Sequence, residues 1–422
     1  MRPIKTTALA ALSAGIALPA LAEPIELRMW YHGAGTGVEE TVVVPLVNDF
    51  NESQDEYRVT LEAFPQLSYN DSVVAAALAG NLPDILDVDG PVMPNWVWSG
   101  YMQPLGLDQE LVEDFLPGAI GTIDGEVYSV GLWDAAVAMM TRCSLLDEYG
   151  IRRPTLDEPW TLEEFDQALV TLKESGDFEY PLDLGMSAPG EWYPYAFSPF
   201  LQSFGGDIVD RETYTTAEGV LNGDAALEFG RWWQSLFERD LAPGTSQDPA
   251  DRETGLLDGR YAMSWNGNWA ARAFYDAHGE DACFLPAPDF GEGPVIGAAS
   301  WQFGASAATE HLDGVRAFIE HATQPKYLVQ FADGTGLLPA TRTAAAETEM
   351  YSEGAPLEVF FELSERQAKV RPVTPGYVVA AKVFEKALAD IANGADVEDA
   401  LDAAVDEIDA DIARNQGYGH DG

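Results

Sequence analysis

The sequence is poor in cysteine, in basic residues and in catalytic signatures. Cys143 and Cys283 are its two cysteines, too few for a disulfide scaffold or a four-cysteine zinc site. Twenty-three basic side chains stand against 70 acidic ones, a formal charge of −47. Such a field repels nucleic acid and anionic lipid. It suits a saline habitat, and most of these carboxylates read as solvated surface. The histidines His32, His278, His311, His321 and His420 are scattered, with none at metal-ligand spacing. There is no P-loop, His-Glu-x-x-His, Cys-x-x-Cys or Gly-x-Ser-x-Gly. A glycine-rich turn, Gly33 to Gly37, lacks the third glycine of a dinucleotide fingerprint. Neither a cofactor nor a metal is expected. After the first 22 residues, no run is apolar over the about 20 residues that span a bilayer.

What is present begins with a leader. Arg2 and Lys5 precede an apolar stretch from Ala8 to Leu18, and Ala20-Leu21-Ala22 offers small residues for cleavage before Glu23. Residues 1–22 read as a secretory signal peptide. The first cysteine is Cys143, far from that point, so a free periplasmic protein without a lipid anchor is expected. In that oxidising compartment Cys143 and Cys283 either pair or remain two buried apolar thiols. A chain of 422 residues usually divides into two domains.

Strand-like and helical periods alternate. Glu26 to Tyr31 alternates, and Val43, Leu46, Val47 and Phe50 then recur at helical spacing. Tyr57 to Phe64 reads as a strand, Asp71 to Gly80 as a helix and Asp84 to Asp89 as a strand. This is the pattern of a parallel sheet covered by helices, whose ligands bind beyond the carboxyl ends of the strands. Those ends carry His32, Tyr69, Asp87 and Asp89. A second unit begins near Trp133, with an apolar strand over Ala135 to Thr141. Thr161-Leu162-Glu163-Glu164 opens a helix with a capping box. Further helices are expected over Asp224 to Glu238 and Val378 to Ile412.

Aromatic residues are abundant in polar surroundings. Glu191-Trp192-Tyr193-Pro194-Tyr195 and Trp265-Asn266-Gly267-Asn268-Trp269 each join rings to carboxylate or amide groups. A sugar has an apolar C–H face and an equator of hydroxyls, and its sites pair aromatic platforms with such polar groups. Core packing is the competing reading for any single tryptophan.

At this point five motifs, in order, carry a resemblance. Phe50 to Gln54, Ala75 to Asp84, Leu256 to Met263 followed by Trp265 to Trp269, Gly334 to Ala340, and Arg371-Pro-Val-Thr-Pro-Gly-Tyr377 resemble the extracellular solute-binding proteins of ATP-driven sugar importers, the group that includes maltose-binding protein. The last motif is similar to one in members that bind disaccharides. Where many members read Tyr-Asn-Lys-Asp, this chain has Thr141-Arg142-Cys143-Ser144, a departure that leaves room for a Cys143–Cys283 link.

The resemblance implies an α/β fold of two lobes, each a mostly parallel sheet flanked by helices, joined by three crossings. Lobe one would hold 23–133 and 290–322, and lobe two 134–289 and 323–422. His32, Tyr69, Asp87 and Asp89 would line one wall of the cleft. Glu191, Trp192, Tyr195, Trp265, Asn266, Gly267, Arg371 and Tyr377 would line the other, with Trp133 near the first crossing and Trp301 on the return segment. The implied role is capture of a carbohydrate, a disaccharide or α-glucoside, by a monomer that delivers it to transmembrane permease subunits. Two alternatives stand beside it. One is a non-sugar solute such as a polyol, polyamine or compatible solute. The other is an exported glycosidase, which needs two carboxylates flanking the scissile bond.

Overall fold

The computed structural model describes residues 23–33, 38–107, 109–248, 252, 254–298 and 300–420. The leader and most of the glycine-rich turn, residues 34–37, lie outside them.

The first lobe is built on a seven-stranded sheet. Its order is Tyr57–Ala63, Ile25–Tyr31, Ile85–Asp89, Trp301–Ser306, Glu126–Gly131 and Ile120–Ile123, with Met102–Gln103 also on Trp301–Ser306. The first three strands are parallel. Trp301–Ser306 returns from the other lobe and therefore runs antiparallel to Ile85–Asp89, pairing Trp301 with Asp89. The helix Glu40–Ser53 buries Val43, Leu46, Val47 and Phe50 on this sheet, the stripe its period predicts. The helix Gln66–Ala79 starts a turn earlier than the sequence suggests and ends at Gly80, whose φ of 66° closes it in the left-handed region.

The second lobe has a four-stranded sheet, ordered Ala282–Leu285, Val137–Arg142, Tyr261–Gly267 and Tyr180–Asp183. Here, as in the first lobe with its four antiparallel pairings among six, the expectation of a mostly parallel sheet fails. Only Tyr180–Asp183 pairs in parallel with Tyr261–Gly267, and the other two pairings are antiparallel. The helix Leu162–Ser175 opens on the expected capping box. Glu164 N–H donates to Thr161 Oγ1 at 3.2 Å, and Thr161 N–H donates to Glu164 at 3.0 Å. The helix Asp224–Glu238 packs Phe229, Trp232, Trp233 and Leu236 inward. The C-terminal helical region is two helices, Tyr377–Ala392 and Val397–Arg414, parted at Gly394, whose φ of 92° ends the first.

Thr141 pairs with Cys283, and Arg142 with Ala282, across neighbouring strands. That register brings Cys143 and Cys283 within 5.2 Å between Cα atoms, and they form a disulfide. It closes a loop of 140 residues, which constrains the unfolded chain by up to about 4–5 kcal/mol.

Each lobe has its own core, and the cores locate the crossings. Ile296 packs in the second core, and Ile296–Ala298 pairs with Ala368–Val370. Tyr327, Leu328, Phe331 and Leu337 pack in the first core. The boundaries at 290 and 322 are therefore displaced: the return crossing lies near Ser300, and the helix Pro325–Thr335 belongs with the first lobe. Its apolar face has the same period as any lobe-two helix, so only the packing distinguishes the two. The last crossing is an antiparallel ribbon in which Leu338 faces Asp134 and Pro339 faces Trp133. Trp133 packs against hydrophobic clusters of both lobes.

Candidate functional site

The carboxyl end of the first-lobe sheet carries a buried polar network. His32 follows the strand Ile25–Tyr31, and its backbone N–H and Nδ1 both meet Asp87 Oδ2, at 3.2 and 2.5 Å. Its Nε2 lies 3.7 Å from Glu39, which the Tyr31 hydroxyl also reaches. The imidazole stacks on Trp301 with centroids 3.8 Å apart and planes 7° from parallel. Burial works against a charged His32. The charge and hydrogen bond of Asp87, with Glu39 and Asp89, outweigh it and raise the pKa above the ordinary value.

Tyr69 is wholly buried and does not line the cleft. It sits on the inward stripe of its helix with Val73 and Ala76. Its hydroxyl donates to the Trp30 carbonyl at 3.3 Å and accepts from Asp87 N–H at 3.0 Å. It braces two strand ends and supports Trp301 edge-on at 5.5 Å.

Asp89 is the forward edge of this wall, and Arg371 faces it from the other lobe at 4.0 Å. Arg371 Nε lies 3.3 Å from Glu191 Oε2, and Tyr377 donates its hydroxyl to the same oxygen at 2.7 Å. The guanidinium covers the face of Tyr195 at 4.9 Å. The ends of four elements thus meet around one buried cation. Burial, then the charge of Glu191, pushes the Asp89 carboxyl up to about 7 against the pull of Arg371 and His32. Burial raises Glu191 as well, opposed by Arg371 and Tyr377. Arg371 Nε and Nη1, Asp87 Oδ1 and the Tyr195 hydroxyl are buried without a hydrogen-bond partner among the described residues. Donors and acceptors with unspent capacity therefore converge at the cleft.

The two aromatic clusters lie largely within regular elements. Trp192, Tyr193 and Tyr195 begin the helix Trp192–Phe204, which is buried along its whole length. Trp192 donates its indole N–H to the Leu184 carbonyl at 2.9 Å, and Arg252 covers its ring at 4.0 Å. Trp265 is placed against its expected role. It lies inside the strand Tyr261–Gly267, 1% exposed, donating to the Ala196 carbonyl at 3.0 Å and packing on Phe200 at 5.0 Å. Alternation puts it on the face of Tyr261 and Met263, toward the helix above the sheet. Asn266 is buried, and its Oδ1 accepts from Gly267 N–H at 2.8 Å. The space at Gly267 is taken by the Trp269 ring: a Cβ there would stand 2.2 Å from it.

Trp269, part of the second aromatic cluster but not of the wall residues that the resemblance implies, is the exposed ring of that cluster. It sits in the first turn of the helix Asn268–His278, 41% exposed, beside Trp192 at 5.9 Å and Tyr195 at 6.1 Å. Its position just past a strand end, after the last alternating residue, was the available signal.

The arrangement is a two-walled cleft with a cation between carboxylates, rings at its mouth and no catalytic motif in the sequence that forms it. Comparison with known proteins agrees. A family model described as bacterial extracellular solute-binding protein matches residues 45–358. An uncharacterized lipoprotein in the oleD 5′ region of Streptomyces antibioticus is 25% identical over 319 residues, 73% of this chain and 69% of its own length. Among solved structures, the cyclic alpha-maltosyl-1,6-maltose binding protein of Arthrobacter globiformis superposes with a TM-score of 0.76 at 23% identity, covering 92% of this chain and 98% of the other. The sugar-binding protein MalE of Xanthomonas citri gives 0.76 at 19%, covering 94% and 100%. The GacH receptor of Streptomyces glaucescens gives 0.73 at 20%, covering 94% and 98%. The chain belongs to the bacterial extracellular solute-binding proteins.

Proposed function

We propose that this protein captures a carbohydrate, a disaccharide or other α-glucoside, between its lobes and delivers it to the permease of an ATP-driven importer. The observation that carries the reading is Trp269: a large ring left 41% exposed beside Tyr195 and Trp192, with Arg371, Glu191 and Asp89 next to them. A ring face answers the C–H face of a pyranose, and the charged groups answer its hydroxyls. The structural relatives named above include proteins for maltose-type sugars and for acarbose, which supports the same class. Closure follows from contacts made to both walls, because a ligand touching both lobes binds the closed state better. The binding role is taken to be without turnover. With Cys143 and Cys283 joined to each other, neither offers a thiol to a lipid, which supports a free periplasmic protein.

A thermal-shift screen of the leader-free protein against mono-, di- and trisaccharides, polyols, polyamines and amino acids tests this. An α-linked disaccharide at 100 times its dissociation constant adds about 2.7 kcal/mol of stability. A screen in which only polyamines or amino acids raise the melting temperature overturns the reading.

A further inference from the structure

A second set of interlobe contacts lies outside the three crossings and outside the charged cluster. Near the C-terminus, residues 416 to 419 all have left-handed backbone, with φ of 55°, 70°, 54° and 86°. Gly417 and Gly419 take that conformation freely, whereas Gln416 and Tyr418 do so against the preference of any residue with a Cβ. The result of the turn is the position of Tyr418. Its hydroxyl donates to Asp411 at 2.6 Å and accepts from Asn415 Nδ2 at 2.8 Å. Its ring lies over Gly376, where a Cβ would come within 2.9 Å of it. Its other neighbour is Trp98, edge to face, with centroids 5.0 Å apart and planes at 72°.

Tyr418 belongs to the second lobe's core, whereas Trp98 ends the first-lobe helix Met93–Trp98 and is 50% exposed. One turn earlier, Asn95 Nδ2 donates to the Pro375 carbonyl at 2.9 Å, again across the lobes. That helix follows shortly after Asp89, and Gly376 directly precedes Tyr377. The contacts therefore flank the Asp89–Arg371–Glu191 cluster on the cleft side, not the hinge ribbon at Trp133 and Pro339.

We propose that Trp98 and Tyr418, with Asn95 and Pro375, form a clasp that biases the protein toward its closed form before any ligand arrives. A half-exposed tryptophan contributes little to the stability of its own lobe, and its ring pair with Tyr418 is made across the gap. An edge-to-face pair shifts such an equilibrium by about two- to tenfold. Because apparent affinity scales with the fraction of molecules in the binding-competent state, the clasp sharpens capture of whatever solute the cleft takes. The inference requires lobe movement and is independent of the sugar assignment.

Small-angle X-ray scattering of the ligand-free protein tests it. The parent and Trp98→Phe, which keeps a ring against Tyr418, are expected to be compact. Trp98→Ala is expected to show a larger radius of gyration with an unchanged far-UV spectrum. A Trp98→Ala protein as compact as the parent, or a parent already as extended as the variant, overturns the clasp. No ligand enters the measurement, so a failed sugar screen leaves it intact.

Discussion

The two walls of the cleft are built on opposite plans. On the first lobe, His32, Asp87, Tyr69 and Trp301 are buried and largely committed to one another through hydrogen bonds and stacking. Side chains so fixed form a preorganised surface whose ordering was settled on folding. On the second lobe, Arg371 Nη1 and the Tyr195 hydroxyl have no hydrogen-bond partner among the described residues, against Asp87 Oδ1 on the first wall, and Trp269 holds an exposed ring. This wall keeps its interaction capacity for something else. A ligand meeting both finds rigidity on one side and unspent hydrogen-bonding capacity on the other. Specificity from such a site resides in the wall whose groups are worse off unpaired.

The sharpest way to break this comparison is Arg371→Met. The substitution leaves Asp89 and Glu191 facing each other without a cation, and loss of one partner from a buried ionic cluster costs about 3–5 kcal/mol. Urea titration of the ligand-free variant should show that loss. A variant as stable as the parent would mean that solvent, rather than Arg371, satisfies both carboxylates.

Trp265 and Trp269 separate the inside of the second wall from its rim. Trp265→Ala removes a fully buried ring and is expected to destabilise the ligand-free protein by about 3–5 kcal/mol. Trp269→Ala should leave the ligand-free melting temperature nearly unchanged and weaken binding of the disaccharide found in the screen by about 2 kcal/mol, or roughly thirtyfold. Calorimetric titration beside thermal melts decides it. Equal effects of the two variants on the ligand-free melt would erase the distinction between core and rim.

The same two tryptophans show how far the sequence is legible. Element order, the capping box at Thr161 and the helix stop at Gly80 follow from local chemistry, and the structure reproduces them. The family was also legible, because five short motifs kept their order. The facing of individual side chains was harder to read. Tyr261, Met263 and Trp265 share the two-residue period of one strand face, but the polar run Asn266-Gly267-Asn268 that follows masks where the strand ends. Tyr69, Val73 and Ala76 lie on one helical stripe, which marks Tyr69 as buried, yet its place after a strand suggested an exposed end. The Tyr377–Glu191 and Asp89–Arg371 pairs are long-range contacts that no local pattern encodes, and the crossing near Ser300 depends on which core a helix joins. Local preferences fix elements, whereas contacts between distant segments fix the site.

The last expected effect is a pH dependence that sets the cleft-facing edge of the first wall against its interior. Asp89 is held up to about 7 from 3.8, chiefly by burial and then by Glu191 across the cleft. The folded protein therefore binds its proton more tightly than the unfolded chain does. The stability this contributes is present at low pH and is lost as pH rises from about 4 through 7. His32 is also raised above 6.5, by Asp87 and Glu39 on its own wall against the cost of burial. Its contribution is complete below 6.5 and disappears as pH rises through its higher folded value. Both slopes have the same sign, and the net charge of −47 adds a third contribution in that direction. Single variants separate them. Asp89→Asn should flatten the fall between pH 4 and 7. His32→Gln should leave that window sloped and flatten the region above 6.5. Denaturant midpoints measured from pH 4 to 9 for the parent and both variants resolve the two windows. If Asp89→Asn keeps the parent's slope below pH 7, the cross-cleft environment of Asp89 is not what titrates, and the contrast between the cleft-facing edge of the first wall and its self-contained interior is lost.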